Sequence, residues 1–125
     1  MKIRSLLAGA LLLTAALSLA TAQDNAEPAQ ADGAEQYQLF CAACHMSDGS
    51  GAEGAGRYPN LADNVAVAAS ADLVISRILH GYGAMPSFSS RSNEEIAAIV
   101  NFVRGTFNDA EQVIDAEYVE GMRGN

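Results

Sequence analysis

Two cysteines and a histidine lie within five residues of one another, in the stretch FCAACHMSDGSG that spans residues 40–51. They are Cys41, Cys44 and His45, and the chain has no other cysteine. On a helix, residues three and four apart share a face, so both thiols and the imidazole would point to one side. This combination can serve dithiol exchange, zinc binding or the covalent attachment of haem.

The spacing distinguishes among these three chemistries. A redox C-x-x-C pair normally follows a strand of a βαβ unit, and no such strand pattern precedes Cys41. A zinc set would need His45 and the distant His80, whereas finger spacing places a histidine about twelve residues after the second cysteine. The order C-x-x-C-H is that of haem attachment, which we favour over the dithiol and zinc alternatives.

The chain begins with a pattern typical of exported proteins. Lys2 and Arg4 precede an apolar run, and Ala20-Thr21-Ala22 has the small-x-small arrangement of a cleavage site. The run is shorter than the ~20 residues of a membrane-spanning helix. We therefore predict a signal peptide at residues 1–22, export to the periplasm and no membrane span after cleavage, with an uncleaved anchor as the alternative.

Removal of this leader makes the chain strongly acidic. All fifteen acidic residues remain, while the seven basic residues fall to five arginines once Lys2 and Arg4 are lost, so the net charge becomes −10. Such a surface repels nucleic acid and anionic lipid and favours basic or neutral docking partners. Residues 23–32 are polar and acidic and predict a flexible tether, which leaves residues 33–125 as the folded domain.

The remainder shows helix signals without an alternating strand pattern. Residues 34 to about 45 lack glycine and proline after Gly33, and residues 71–80 carry an apolar stripe between a Ser70 cap and a Gly81 stop. Residues 46–59 are rich in glycine and residues 81–90 contain glycine and proline, so both are predicted loops.

A further helix has clearer boundaries. Ser92 and Glu95 form a capping box, Gly105 is the predicted end, and the apolar residues between them recur with helical spacing at Ile96, Ile99, Val100 and Val103. The tail, residues 106–125, predicts one more short helix through Val119 and Met122. The fold class is therefore all-α, with three to five helices around one haem.

The order of these motifs resembles a single-haem class I cytochrome c, from about residue 33 to residue 103. Gly33 and Tyr37 match the glycine and aromatic of the first helix, and Ile99 and Phe102 match the final-helix positions that cross it. The stretches YPNLA at 58–62 and GYGAMPSF at 81–88 match those on either side of the haem. A small cytochrome c fold is what this resemblance implies.

The resemblance also implies the site. Haem c would be attached through Cys41 and Cys44, with His45 and Met85 as axial ligands and the Pro59 carbonyl accepting from His45. A thioether is a soft ligand that suits ferrous iron and raises the reduction potential, which supports Met85 independently. Among its rivals, Met46 is adjacent to His45, Met122 lies in the tail, and His80 is better explained as a surface group at a helix C-terminus.

The haem propionates would add negative charge to an acidic chain. Arg57, or the hydroxyls of Tyr58 and Tyr82, could offset that charge, although each could equally be a solvated surface group. Arg57 is our first candidate.

The function that follows is one-electron transfer by a monomeric periplasmic carrier that is not an enzyme. The resemblance implies a periplasmic dehydrogenase as donor and an oxidase or another cytochrome as acceptor. The predicted mature chain has no lysine and cannot form the ring of lysines that mitochondrial-type cytochrome c uses for docking. We therefore expect a basic or largely apolar contact with its partners. The alternatives are a fixed subunit of a dehydrogenase complex and, if Met85 is labile, a gas sensor or weak peroxidase.

Overall fold

The computed structural model describes residues 28–54 and 56–124 of the 125-residue chain. The predicted signal peptide at residues 1–22 and the first part of the predicted tether lie outside these residues. Over the described ranges, no helix is both long and apolar enough to cross a membrane.

Helices dominate the described chain, as predicted for an all-α fold. Two strands of two residues each form a small antiparallel ladder that the sequence did not predict. In chain order the elements are α1 (Pro28–Phe40), α2 (Ala42–His45), β1 (Ala52–Glu53), β2 (Arg57–Tyr58), α3 (Val65–Ala69), α4 (Ala71–His80), α5 (Asn93–Asn108) and α6 (Ala116–Arg123). Because α1 begins at Pro28, it overlaps the stretch predicted as tether; the domain boundary at Gly33 stays a prediction.

The crossing of α1 and α5 is the central packing contact. Gly33 is buried inside α1, and a Cβ atom there would overlap the Ala98 carbonyl and approach Phe102. Its lack of a side chain lets the two backbones approach closely. One turn later the Tyr37 ring packs against Phe102, with ring centroids 5.4 Å apart. The glycine and the aromatic noted in the sequence thus set the distance between the two helices.

Caps fix the ends of α4 and the start of α5 where the sequence predicted them. The Ser70 hydroxyl accepts from the Leu73 N–H at 3.1 Å, and Gly81 follows the last turn of α4 with φ of 73°. At α5, Ser92 and Glu95 exchange side-chain and backbone hydrogen bonds in a complete capping box. The loop between α4 and α5 therefore has defined endpoints.

The predicted end of α5 at Gly105 is wrong. The helix continues to Asn108, and Asp109 caps it in the left-handed region with φ of 52°. A glycine inside a helix costs only about 1 kcal/mol relative to alanine. Here the extra turn is anchored by the Asn108 amide, which donates to the carbonyls of Leu61 and Val103 at 2.8 and 2.9 Å.

One buried cation ties the C-terminal half of α5 to two other segments. The Arg104 guanidinium, 3% exposed, donates to the carbonyls of Val67 and Ala68 on α3 and to that of Gln112 after α5. The short helix α3 was not predicted; its signal was Asn64, whose side chain accepts from the Ala66 and Val67 N–H groups as an N-cap. Helix α6 lies where the tail was expected to be helical.

Candidate haem-attachment site

Cys41, Cys44 and His45 occupy one helical turn at the junction of α1 and α2. The Cys41 N–H donates to the Tyr37 carbonyl at 2.9 Å, and the His45 N–H donates to the Cys41 carbonyl at 2.9 Å. Cys44 is exposed, Cys41 is half-buried against the core, and His45 is only 9% exposed. The turn thus buries the imidazole, while the Cys41 thiol stays partly exposed and the Cys44 thiol is exposed.

The His45 imidazole is oriented by a backbone carbonyl. Its Nδ1 lies 2.9 Å from the Pro59 oxygen, the pair that the family resemblance implied. When Nδ1–H donates to that carbonyl, Nε2 keeps its lone pair for a metal, and the hydrogen bond makes the imidazole more basic. Gly51 draws the two segments together, because its N–H donates to the His45 carbonyl at 3.0 Å.

Tyr37 provides a second support that sequence reasoning did not predict. Its hydroxyl donates to the Met46 carbonyl at 2.6 Å, one residue after His45, and the side chain is fully buried. Burial, with smaller contributions from Cys41 and Asp48, raises the pKa of Tyr37 to about 12. The sequence predicted Tyr37 only as the aromatic of the first helix, and nothing in it indicated the hydrogen bond of the hydroxyl.

The backbone of Met46 is strained. Its φ of 66° and ψ of 157° lie in a region that glycine adopts and other residues essentially avoid. Three hydrogen bonds hold it there: the Met46 N–H donates to Ala42, and the Met46 carbonyl accepts from Tyr37 and from the Gly49 N–H. The turn after His45 is therefore held by its surroundings against the preference of the residue.

The thiol chemistry does not suit a redox dithiol. Burial, and then the neighbouring Cys44, raises the pKa of the Cys41 thiol to about 11. Reactive C-x-x-C cysteines have lowered pKa values, because the thiolate is the nucleophile. Across residues 28–54 and 56–124, no group of three or more His, Cys, Asp and Glu side chains is arranged to hold a metal ion, so the four residues of the zinc alternative form no such cluster.

Met85 lies in the loop between α4 and α5. Tyr82 and Met85 exchange two backbone hydrogen bonds of 3.1 and 3.0 Å, and the Met85 side chain packs half-buried against the core. A Cβ atom at Gly81 would overlap the Met85 carbonyl. The His80 side chain, by contrast, is exposed at the end of α4, and Met122 packs on the core from α6.

The candidates for offsetting propionate charge are placed less favourably. The Arg57 side chain is 86% exposed and pairs with Glu53 across the small ladder at 3.5 Å. Tyr58 and Tyr82 are both exposed, and the Tyr82 ring lies under the Arg77 guanidinium at 3.9 Å. The structure therefore brings His45 and Pro59 together but directs Arg57 and Tyr82 to other partners.

The residues present fit a haem. A buried imidazole has one nitrogen committed to a carbonyl, both thiols share its helical turn, and a thioether is held by a short loop. Partly buried apolar side chains from four segments pack beside the same core and offer the apolar contact that a porphyrin requires: Cys41, Ala42, Leu61, Val74, Met85 and Phe88.

Comparison with known families agrees with this chemistry. The model of the family described as cytochrome c oxidase, cbb3-type, subunit III, matches residues 28–103, which is more than half of the chain. The chain belongs to the single-haem c-type cytochromes. Membership of this family means a covalently bound haem c, and Cys41 and Cys44 have the C-x-x-C-H spacing for it.

Individual relatives include free-standing cytochromes and longer subunits. Cytochrome c-552 of Thermus thermophilus is 34% identical over 116 residues, covering 76% of each chain. Cytochrome c6 of Microcystis aeruginosa is 35% identical over 74 residues, covering 58% of this cytochrome and 90% of the relative. The fructose dehydrogenase cytochrome subunit of Gluconobacter japonicus is 33% identical over 107 residues, but the match spans only 22% of that protein.

Proposed function

We propose that this cytochrome is a periplasmic one-electron carrier. In this proposal Cys41 and Cys44 would hold haem c as thioethers, and His45 and Met85 would bind its iron. The observation that carries the proposal is the 2.9 Å hydrogen bond between His45 Nδ1 and the Pro59 carbonyl in a C-x-x-C-H turn. It leaves Nε2 of a buried imidazole as the atom available to a metal.

When bound, the haem supplies an iron that alternates between the ferric and ferrous states. The chain's own residues set the conditions for that change. The Pro59 carbonyl fixes the His45 tautomer, and the Met85 sulfur is a soft donor that favours the ferrous state. If His45 and Met85 both bound the iron, no position on it would be left for a substrate, which supports a carrier rather than an enzyme.

The position of Met85 supports its proposed role. Two backbone hydrogen bonds with Tyr82 and the close approach of Gly81 hold the Met85 backbone, so its side chain starts from a fixed position. The other methionines with described surroundings are less suitable, because Met46 adjoins His45 in the chain and Met122 belongs to α6.

A redox titration of the purified holoprotein, followed by optical spectroscopy, tests this assignment. We expect a positive midpoint and a methionine–iron charge-transfer band. Met85→Ala should abolish the band, lower the midpoint and let carbon monoxide bind the ferrous protein. Met122→Ala is the matched control and should change none of these. If Met85→Ala retains the band, Met85 is not the ligand; a strongly negative midpoint that rises in His80→Ala would assign His80 instead.

A second function is favoured by the longer relatives. The fructose dehydrogenase cytochrome subunit and the alcohol dehydrogenase (quinone) cytochrome c subunit of Gluconobacter oxydans both match this chain over part of their length. By analogy, a periplasmic dehydrogenase would donate electrons and an oxidase or another cytochrome would accept them. Gel filtration of the native protein separates the possibilities, because a free carrier elutes as a monomer and a fixed subunit elutes with its dehydrogenase.

Export is part of the proposal and has its own test. We propose cleavage before Gln23, which would give a mature chain of residues 23–125 with a domain that begins near Gly33. Intact-mass measurement of the holoprotein from a periplasmic extract would identify the first residue. Retention of Met1 in a membrane fraction would indicate an anchor.

A further inference from the structure

The charge of this cytochrome is unevenly distributed along its sequence. No acidic residue occurs between Asp72 and Glu94, although this stretch makes up most of α4, the Met85 loop and the start of α5. The same stretch contains Arg77, His80 and Arg91. We call the surface formed by residues 77–91 the Met85 surface. It is neutral to weakly positive on a molecule whose net charge is strongly negative.

Arg77 is the charge on this surface that has no carboxylate partner. In the described part of the chain the ion pairs are Arg57 with Glu53 and Arg91 with Glu95. Arg77 instead stacks on the Tyr82 ring, with its guanidinium carbon 3.9 Å from the ring centroid. A stacked guanidinium keeps its N–H donors in its own plane, where they can bind a carboxylate in a bidentate manner.

Tyr82 supplies apolar area beside that donor. It is 69% exposed, so most of its ring can be covered by another protein. Tyrosine and arginine are enriched among the residues that dominate binding energy at interfaces, because each combines apolar area with a polar group. The pair thus presents an apolar contact and a carboxylate-binding group on adjacent side chains.

The Met85 surface is held in place before any partner arrives. The Phe88 N–H donates to the Ile78 carbonyl at 2.8 Å, and the Ser87 hydroxyl donates to the Leu79 carbonyl at 2.5 Å. At its far edge, Arg123 of α6 donates to the carbonyls of Ser89 and Arg91. A rigid surface loses little conformational entropy on binding.

Acidic residues lie near the C-terminal end of α5 and also beside the far edge of the Met85 surface, where Glu95 pairs with Arg91 and Glu120 accepts from Asn93. Asp109 caps that helix, and the Asp63 N–H donates to the Phe107 carbonyl. Asp48 adjoins Gly49, where a Cβ atom would contact the Phe107 ring. A basic partner would be attracted to these two acidic regions rather than to Arg77 and Tyr82.

From these observations we propose that electrons enter and leave through the Met85 surface, and that this surface fits a redox protein whose contact area is apolar and carries a carboxylate for Arg77. The proposal rests on the proposed function, in which Met85 binds the iron. The net charge of the chain alone allowed either a basic or an apolar partner. The Met85 surface instead favours a partner whose contact area is apolar and carries a carboxylate.

Two small oxidants of opposite charge test the local electrostatics: hexacyanoferrate(III), an anion, and tris(phenanthroline)cobalt(III), a cation. Each takes one electron from the ferrous holoprotein, which becomes ferric, while the oxidant is reduced to the divalent metal complex and no proton moves. The salt dependence of the two stopped-flow rates gives the effective charge at the point of electron transfer. We expect a value near zero or positive. A strongly negative value, close to that of the whole chain, would overturn the proposal.

Arg77→Gln and Gln112→Glu form a matched pair, since each makes the net charge more negative by one and Gln112 is exposed in the segment after α5. Arg77→Gln should slow hexacyanoferrate(III) about threefold at low salt and accelerate the cobalt complex. Gln112→Glu should leave both rates nearly unchanged. Equal effects of the two variants would mean that total charge governs the reaction and that the Met85 surface has no special role.

Tyr82 is tested through its ring. Tyr82→Phe keeps a surface for Arg77 to stack on, so the Arg77 effect should persist in that background, whereas it should shrink in Tyr82→Ser. As a readout independent of electron transfer, the redox-inert paramagnetic anion hexacyanochromate(III) should broaden the amide signals of Tyr82 and Gly83. Broadening near Asp63 and Asp109 instead would contradict the proposal. A failure of the proposed function would be distinguishable, because the unmodified holoprotein would then show no methionine–iron charge-transfer band.

Discussion

The two segments that would face the haem are held by different means. The His45 side adds two side-chain hydrogen bonds to its backbone ones: Tyr37 donates to the Met46 carbonyl, and the imidazole bonds the Pro59 carbonyl. Met85 itself is held by backbone hydrogen bonds to Tyr82 and by Gly81, which allows the close approach of two chain segments. Single substitutions should therefore act on the His45 side by removing a hydrogen bond and on the Met85 side by forcing the backbone apart.

The difference also concerns charge and exposure. His45 and Tyr37 are buried, and the raised pKa of Tyr37 reflects that burial. The Met85 side carries the exposed Tyr82 and an arginine without a carboxylate partner in the described chain. One side is thus suited to retaining a cofactor and the other to meeting a partner.

The largest effect is expected at Gly81. Its φ of 73° lies where alanine is strained, and a Cβ atom would overlap the Met85 carbonyl, so Gly81→Ala should destabilise the holoprotein by about 2 to 4 kcal/mol. The loop should also shift, lowering the intensity of the methionine–iron band. Denaturant unfolding of the ferric protein measures the first effect.

Gly83 provides the control for Gly81. It also has a positive φ, of 60°, but nothing lies within 4 Å of a Cβ atom there. Gly83→Ala should cost about 1 kcal/mol from backbone strain alone. If the two glycines gave equal losses, close packing against Met85 would not be what Gly81 provides.

Removing the Tyr37 hydroxyl should weaken the His45 side. Tyr37→Phe keeps the ring contacts but loses the 2.6 Å bond to Met46, a change of about 1 to 2 kcal/mol in the free energy of unfolding. Tyr118→Phe is the control, because that hydroxyl makes an exposed bond of the same length, 2.6 Å, to Asp72. A loss in Tyr118→Phe as large as in Tyr37→Phe would contradict the importance of burial.

Relief of strain at Met46 should have a smaller and opposite effect. Met46→Gly removes the energetic cost of the backbone conformation at this position but raises the conformational entropy of the unfolded chain. The free energy of unfolding should therefore rise by about 1 kcal/mol. The midpoint of denaturant unfolding should rise accordingly. Destabilisation would show that the Met46 side chain contributes more than its backbone costs.

The last prediction concerns the titration of the Tyr37 phenol, which leaves the free energy of unfolding at neutral pH unchanged. Because burial favours the neutral phenol, the pKa of Tyr37 lies at about 12 in the folded state against 10.0 for the free group. Its contribution to stability is complete below pH 10 and is lost as the pH rises toward 12. The ultraviolet difference between the native protein and Tyr37→Phe, followed with rising pH, isolates this phenol. Ionisation near pH 10 would mean that Tyr37 is solvated.

Local signals predicted much of this fold, and non-local contacts account for the rest. The Ser70 cap and the Ser92–Glu95 box are short-range hydrogen bonds, so they could be found from spacing alone. The extension of α5 past Gly105 depends on Asn108 reaching Leu61, which is distant in the sequence. Helix α3 was not predicted, because a helix of five residues is too short to show a recognisable hydrophobic periodicity.

The candidate site shows the same division. C-x-x-C-H is compact and informative, so Cys41, Cys44 and His45 could be chosen from spacing. Pro59 came only from family resemblance, since no local rule pairs a proline carbonyl with a histidine fourteen residues away. The Tyr37 hydrogen bond and the Arg77–Tyr82 stack depend on tertiary geometry, and no pattern in the chain identified them.

Arg104 limits how this protein can be altered. Its single planar side chain serves carbonyls from α3 and from the segment after α5, and no shorter or rounder cation can reach all three acceptors at once. If either segment were redesigned, shortened or grafted, the buried Arg104 guanidinium would lose carbonyl acceptors that it cannot replace with water. An engineer who wishes to transplant the Met85 loop into another scaffold can leave this junction untouched, because no hydrogen bond among the described residues joins the loop to Arg104 or its acceptors.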